Sequence, residues 1–192
     1  MKPMTAKQKN NNEFYTPEYA ITPILKHIPK NIKTIWCPCD TEKSQFVLVL
    51  KEHGYNVFFT HLEENQDFLT HNPDFEFDMI LTNPPFEFKT EFLKKAYEYQ
   101  KPFLFLLPLT TLEGVARQEL FKQYGLTTIL FDRRINFISG KSVQFNSSYF
   151  GLLPDHKDKI IYETIAKNSK VMEDIGVNKK QGVLLWLNYN KY

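Results

Sequence analysis

One sequence feature restricts the fold of this chain more than any other. Short apolar runs alternate with segments in which apolar residues recur at helical spacing. Apolar runs of strand length lie at residues 34–37, 55–60, 77–82, 103–107 and 126–131. Segments with apolar residues at helical spacing lie between them, at residues 44–53, 91–99 and 112–124, and a further helix is expected at residues 21–27. This alternation predicts an α/β fold in which helices cover a mostly parallel sheet.

One predicted strand differs from the others in its direction. Residues 143–153 follow the predicted strand at 126–131 after Gly140 and a short polar stretch. Because the connection is short, we expect the two strands to pair antiparallel. The sheet is therefore expected to be mostly parallel with an antiparallel C-terminal strand.

The chain has 192 residues, enough for one domain with a buried core. Residues 1–12 carry three lysines and no acid, so they are expected to form a flexible basic arm. Residues 13–192 are expected to form the domain, with residues 155–192 as a basic C-terminal extension and no separate recognition domain. Apolar runs at 160–162 and 183–187 predict one more edge strand or helix in that extension.

Composition excludes several classes of protein. Hydrophobic residues make up 42% and charged residues 24%, which is typical of a folded soluble domain, and the aromatic share of 15% predicts a core rich in rings. Cys37 and Cys39 are too few for a disulfide framework or a structural zinc site. No apolar run approaches the roughly 20 residues that span a bilayer. We therefore expect a cytoplasmic protein without a membrane segment or a metal.

The most informative motif is Asn83-Pro84-Pro85-Phe86, which follows the predicted strand at 77–82. Ligands of open α/β sheets bind at the carboxyl ends of the strands. The prolines restrict the backbone, so the Asn83 carboxamide and the Pro84 carbonyl are expected to form two fixed acceptors for one amino group. Such a pair suits an exocyclic amine whose lone pair is delocalised into its ring, and Phe86 offers a flat face on which a base can stack.

The tetrapeptide Asn83-Pro84-Pro85-Phe86 resembles the catalytic motif of the amino-methyltransferases, most closely the small adenine-N6 DNA methyltransferases of phages and mobile elements. The resemblance extends over roughly residues 13–153 in the family's order. It implies a Rossmann-like methyltransferase fold that binds S-adenosylmethionine. The tetrapeptide would then be the catalytic group, and the methyl would pass by direct displacement without a metal or a covalent intermediate.

Other segments add to this resemblance. Tyr15-Thr16-Pro17 resembles the element that contacts the methionine end of S-adenosylmethionine, and Asp67-Phe68 resembles the pair that binds the cofactor's adenine by hydrogen bond and stacking. The segment at residues 145–150, with Asn146 and Tyr149, resembles a strand that walls the pocket for the target base.

The loop at residues 37–44 departs from the family's pattern. The family pattern is Asp/Glu-Pro-x-x-Gly-x-Gly, in which glycines let the backbone approach the cofactor closely. Here only Pro38 agrees with it, because Thr41 and Lys43 stand at the glycine positions. Cys37 stands where the family has the acidic residue that receives the methionine ammonium.

Acidic residues at shifted positions are the expected replacements. Asp40 or Glu42 would take the place of the missing acid after the first strand. After the second strand His61 stands where an acid is expected to hold the ribose hydroxyls, and Glu63 or Glu64 would replace that acid.

The resemblance implies a nucleic-acid partner, DNA or, as the alternative, RNA. A target adenine inside a duplex must leave the base stack to be modified. Without a recognition domain, contacts to phosphates and bases are expected from basic and polar side chains, namely Arg133, Arg134, Lys141, Asn146, Tyr149, Lys157, Lys159, Lys167, Lys170, Lys179 and Lys180. Three alternatives remain open: methylation of adenine in RNA, methylation of a glutamine amide in protein, or a degenerate methyltransferase fold that only binds a partner.

Overall fold

The structure is a computed structural model that describes residues 15–137 and 145–165. The predicted basic arm at residues 1–12, Lys141 and the apolar run at 183–187 lie outside these ranges. Nearly all of the expected helices and strands fall within them, and the fold can be compared with the sequence pattern element by element.

The described residues form seven strands and three α-helices. In chain order these are β1 (Thr34–Pro38), α1 (Gln45–Glu52), β2 (Asn56–Thr60), β3 (Met79–Thr82), α2 (Lys89–Glu98), β4 (Phe103–Pro108), α3 (Val115–Tyr124), β5 (Thr127–Phe131), β6 (Ser147–Leu152) and β7 (Ile160–Glu163). Each of these elements overlaps a segment that the sequence pattern predicts. No helix in this part of the chain is long and apolar enough to cross a membrane.

Short 3-10 turns connect the strands and helices. They span Glu18–Ala20, Thr22–His27, Leu62–Glu64, Phe86–Phe88, Leu109–Leu112 and Pro154–His156. The helix expected at residues 21–27 is thus a 3-10 segment. The helix expected at residues 112–124 begins only at Val115, because Gly114 has a φ of 98°, which lies outside the helical region.

The strand order across the sheet is β2-β1-β3-β4-β6-β5-β7. Every neighbouring pair is parallel except the two that include β6, which runs antiparallel to β4 and to β5. The sequence-based prediction of a mostly parallel α/β sheet with a late antiparallel strand is therefore confirmed.

Helices cover both faces of this sheet. Helix α1 and the N-terminal 3-10 turns contribute Phe46 and Ile24 to the apolar cluster on one face. Helices α2 and α3 contribute Phe92 and Phe121 to the cluster on the other face. Strands β3 and β4 are buried along their whole length, so their polar connections gather at the two edges of the sheet.

An aromatic cluster fills the second face and confirms the expected ring-rich core. The indole of Trp36 lies with its centroid 5.2 Å from the ring of Phe68 and 5.1 Å from that of Phe77. Phe68 stacks on Phe92 at 4.8 Å. The Trp36 indole nitrogen donates a hydrogen bond of 3.0 Å to Thr60 Oγ1, so the buried polar atom of the indole is satisfied.

Gly151 in β6 is where the sheet tolerates no side chain. A Cβ atom there would lie 1.9 Å from the carbonyl oxygen of Phe103 in the adjacent strand. Because backbone has to move, we expect Gly151→Ala to lower the free energy of unfolding by about 3 kcal/mol, as overpacking does.

Urea denaturation of the purified variant measures this loss. Gly54→Ala serves as the comparison, since a Cβ at Gly54 meets nothing within 4 Å and only its φ of 85° opposes the substitution. We expect Gly54→Ala to lower the free energy of unfolding by about 1 kcal/mol. Equal losses for the two variants would contradict the steric argument.

Candidate functional site at the carboxyl edge of the sheet

One edge of the sheet collects the carboxyl ends of the parallel strands and the amino end of β6. From β1 the chain crosses to β2 on one side, and later to β3 on the other side. The connections therefore diverge at the β1–β3 pair, which is where open α/β sheets form a binding crevice. The predicted tetrapeptide, the loop at 37–44 and Glu63 all lie at this edge, as does Asn146.

The tetrapeptide leaves β3 directly and is held by its own local contacts. Asn83 is half-buried, its carboxamide oxygen is buried, and Pro84 behind it is fully buried. The carbonyl of Pro85 accepts a hydrogen bond of 3.1 Å from the amide of Phe88, which closes the 3-10 turn. Lys89 Nζ donates 3.2 Å to the carbonyl of Phe86. The loop is thus preceded directly by β3 and held by these contacts at its carboxyl end.

Phe86 lies in a small group of rings at this edge. Its centroid is 5.1 Å from that of Phe145 and 6.4 Å from that of Phe137, in edge-to-face geometry. The Phe86 side chain is half-buried, so part of the ring faces solvent. An exposed aromatic face beside hydrogen-bond acceptors is suited to a planar polar ligand.

Asp40 lies in the crevice between β1 and β3, and its side chain is buried. Its Oδ2 is 2.6 Å from Thr82 Oγ1, and the same hydroxyl also contacts the carbonyl oxygen of Pro38. The Thr82 hydroxyl donates to Asp40 Oδ2, so this hydrogen bond favours the ionised carboxylate.

Burial and hydrogen bonding shift the pKa of Asp40 in opposite directions. Burial raises the pKa of Asp40 to about 7, against the opposing effect of hydrogen bonds from Thr82 and Ser44. Burial also raises the pKa of the Cys37 and Cys39 thiols and of the Tyr149 hydroxyl, and the nearby Asp40 raises each of them further. A single proton on Asp40 therefore decides the charge of this group near neutral pH.

The loop at 37–44 turns without glycine. Its left-handed residue is Cys39, with a φ of 75°, whereas Thr41 and Lys43 do not have positive φ. Thr41 N donates 2.9 Å to Ser44 Oγ immediately before α1. The missing glycines therefore impose no backbone strain at positions 41 and 43, although the side chains of Thr41 and Lys43 occupy space that glycine leaves open.

The acids expected after β2 lie in different environments. Glu63, in the 3-10 turn that follows β2, has a side chain that is 68% exposed. Asp67 Oδ1 accepts a hydrogen bond of 3.0 Å from the amide of Leu69. The Asp67 carboxylate thus holds its own turn, while Glu63 and Glu64 are both exposed to solvent.

Phe68 does not lie at the site, and its expected role is corrected. The residue is 2% exposed, and its ring packs against Phe92, Trp36 and Phe105. A ring enclosed in this way offers no face to a ligand. The sequence did not reveal this because Phe68 reaches the core from a loop rather than from a periodic element.

Tyr149 requires a similar correction. It is fully buried in β6, with its ring 6.5 Å from that of Phe46 and 5.8 Å from that of Phe131. From that position its side chain offers no exposed surface to a base or a phosphate. Its hydroxyl has no hydrogen-bond partner within residues 15–137 and 145–165.

Several other buried polar atoms at the carboxyl edge are unsatisfied within the described part of the chain. They are Gln66 Oε1 after β2, Thr111 Oγ1 after β4 and Ser147 Oγ at the start of β6. Thr16 Oγ1, between exposed Tyr15 and buried Pro17, is a further one. Buried polar groups are nearly always hydrogen-bonded, so these atoms favour a polar ligand or water here.

The basic residues expected to contact nucleic acid lie beside this edge. Arg134 Nε donates 3.0 Å to Asn146 Oδ1, and Arg133 pairs with Asp132 at 3.1 Å. Both arginines are exposed and follow β5. The structure therefore brings Arg133, Arg134 and Asn146 together, whereas Lys141 lies outside the described residues.

Two functional contacts had no signal in the sequence. Thr82 ends an apolar run, and only its position beside Asn83 could have drawn attention to it. Arg117 donates 2.7 Å to Thr90 Oγ1 and 2.9 Å to the carbonyl of Thr111, which joins the loop after β4 to the start of α2.

Within the described ranges, no three His, Cys, Asp or Glu side chains are grouped to hold a metal.

Comparisons with known proteins found no relative: no protein-family model matches the chain, and no curated protein matches it. The class of protein is therefore defined by the fold alone. It is an α/β protein whose described residues form a mostly parallel seven-stranded sheet with a polar crevice at the carboxyl ends of β1 and β3.

The raised pKa of Asp40 predicts how the stability of the protein depends on pH. Between pH 4 and 7 the folded state holds a proton on Asp40 that the unfolded chain has released. Stability should therefore fall as the pH rises through this range, by up to roughly 1.4 kcal/mol per pH unit, and level off above pH 7.

Urea denaturation at several pH values measures this dependence against the Asp40→Asn variant. The Asn carboxamide oxygen can accept the hydrogen bond from Thr82 Oγ1 as the carboxyl oxygen does, so the variant should fold and lose this part of the pH dependence. Identical pH profiles for the two proteins would contradict a raised pKa of Asp40.

Proposed function

We propose that this protein transfers a methyl group from S-adenosylmethionine to the N6 amine of adenine in DNA, on a Rossmann-like methyltransferase fold. The observation that carries the proposal is the position of Asn83-Pro84-Pro85-Phe86. The tetrapeptide leaves the carboxyl end of β3 beside the β1–β3 crevice, where an α/β sheet binds its ligands.

The tetrapeptide residues would act on the target base itself. The Asn83 carboxamide oxygen and the Pro84 carbonyl accept the two amine protons, which favours the pyramidal nitrogen whose lone pair is free to attack. Phe86 stacks on the base from the exposed part of its ring. Because the turn to Phe88 and the Lys89 hydrogen bond hold the loop, little freedom is lost when the base binds.

The residues of the crevice fit the polar parts of S-adenosylmethionine. This cofactor supplies a methyl group activated by its sulfonium. Ionised Asp40 would hold the methionine ammonium, and exposed Glu63 would take the ribose hydroxyls. The buried hydroxyl of Thr16, which has no hydrogen-bond partner within the described residues, would bind the methionine end together with Tyr15.

Some expected cofactor contacts have no part in this proposal. Cys37 is buried with a raised pKa, so it brings no charge, and the Pro38 carbonyl is engaged by Thr82. The adenine ring of the cofactor would lack the stacking partner expected at Phe68, which packs in the core.

A second candidate function follows from these same differences. The Asp40 carboxyl already accepts a hydrogen bond from Thr82, and Phe68, the ring expected to stack on adenine, packs in the core. A chain of this kind could bind nucleic acid through Arg133 and Arg134 without binding the cofactor. This candidate differs from the enzyme in one measurable property, the affinity for S-adenosylmethionine.

Cofactor binding separates the two candidates and depends on pH in a defined way. For the enzyme we expect saturable binding of S-adenosylmethionine in a calorimetric titration. The affinity should rise by up to about tenfold per pH unit below pH 7 and level off above it, because the ammonium binds ionised Asp40. Absence of binding at millimolar cofactor would favour the second candidate.

Transfer of a radiolabelled methyl group to DNA tests the role of Asn83. We expect Asn83→Ala to lower the rate by about 100-fold or more, as loss of one such contact to a reacting group does. Its affinity for S-adenosylmethionine should stay unchanged.

Asn56→Ala is the matched control, because Asn56 is exposed at the start of β2, on the opposite edge of the sheet. That variant should keep full activity. Retention of activity by Asn83→Ala would remove the role given to Asn83, and preferential labelling of RNA or of protein glutamine would change the substrate.

A further inference from the structure

Two exposed apolar side chains lie on the connection between β4 and α3. Leu112 ends a 3-10 turn and is 38% exposed, and Val115 begins α3 and is 81% exposed. Single exposed apolar residues are common on protein surfaces. Leu112 and Val115 differ from such residues because side-chain hydrogen bonds hold the backbone that carries them.

Side chains of α3 bind the carbonyls of this connection. Gln118 Nε2 donates 2.5 Å to the carbonyl of Leu112, and Arg117 donates to the carbonyls of Thr111 and Glu113. These polar contacts draw the backbone toward the helix. The connection therefore presents Leu112 and Val115 to solvent on an ordered backbone.

The same contacts fix this connection beside the tetrapeptide. Arg117 Nη1 bonds Thr90 Oγ1, only four residues after Phe86, and β4 is the direct neighbour of β3. On the other side, Leu109 N donates 2.9 Å to the carbonyl of Asn146. The apolar pair thus belongs to the carboxyl edge that receives the target base in the proposed function.

We propose that Leu112 and Val115 form an apolar wedge that enters the base stack of a DNA duplex and helps to extrude the target adenine. The proposal rests on the proposed function, in which an adenine must leave the duplex to reach Asn83. Extrusion unstacks the flanking bases, and proteins commonly fill such a gap with apolar side chains.

The charges around the wedge fit a duplex. Exposed Arg134, beside Asn146, lies on one flank, where it can approach a phosphate, and half-buried Lys89, whose Nζ binds the carbonyl of Phe86, lies on the other. Glu113, exposed between Leu112 and Val115, repels phosphates. The tip of the connection is therefore suited to bases, and its flanks are suited to the backbone of the nucleic acid.

Methyl transfer to one plasmid in two forms tests the wedge. The double variant Leu112→Ser, Val115→Ser should lose about tenfold in rate on the duplex and less than about twofold on the same DNA after heat denaturation, because a single strand needs no extrusion. The variant Ile160→Ser, Tyr162→Ser is the matched control, since these apolar residues of β7 are 60% and 78% exposed. It should match the unaltered protein on both forms.

Equal losses on both forms of DNA, or no loss on either, would overturn the wedge. Permanganate oxidation of thymines in bound duplex gives a readout that does not depend on methyl transfer, because permanganate attacks unstacked thymines. Reactivity induced by the protein and abolished in the double variant supports the wedge, and absence of induced reactivity overturns it.

The two proposals fail in different ways. If the protein methylates no form of DNA, the proposed function fails, and permanganate reactivity alone decides the wedge. If duplex and single strands are methylated and the double variant behaves like the control, only the wedge fails. Thermal unfolding of each variant shows that the exposed substitutions leave the fold intact.

Discussion

The burial of β3 and β4 on both faces is the constraint on which the rest of the structure depends. Two strands without a solvent-facing side admit only apolar or hydrogen-bonded side chains, so α1 covers one face, and α2 and α3 cover the other. Polar residues are excluded from the interior and collect where strands end. The chemistry of this protein is therefore concentrated at one edge of the sheet.

At that edge, the contact of Asp40 with Thr82 joins the loop after β1 to the strand that carries the tetrapeptide. One proton lies between these strands, and its presence determines whether the crevice is neutral or anionic near pH 7. Ligand preference and stability are thereby linked through the same carboxyl. The contacts of Lys89 and Arg117 extend this order to the neighbouring loops.

Much of the fold was predictable because its signals are local. Apolar runs of strand length and helical periods specify the elements, and the short connection before β6 specifies its antiparallel direction. Two expected helices differ from the prediction. Helix α3 begins later than expected because Gly114 is not helical, and residues 22–27 form a 3-10 segment instead of an α-helix. Strand order joins β1 to β3 and β4 to β6 across long stretches of chain, and no local signal encodes it.

The sequence by itself determined that Asn83-Pro84-Pro85-Phe86 ends a buried strand, because two prolines cannot continue a ladder. Only the tertiary structure decided which other residues accompany the tetrapeptide. It turned Asp40 inward to Thr82, enclosed Phe68 and Tyr149 in apolar layers, and left Glu63 and Val115 exposed. The reason is physical: burial and hydrogen bonding of a side chain depend on neighbours distant in sequence, whereas strand ends and turns depend on adjacent residues.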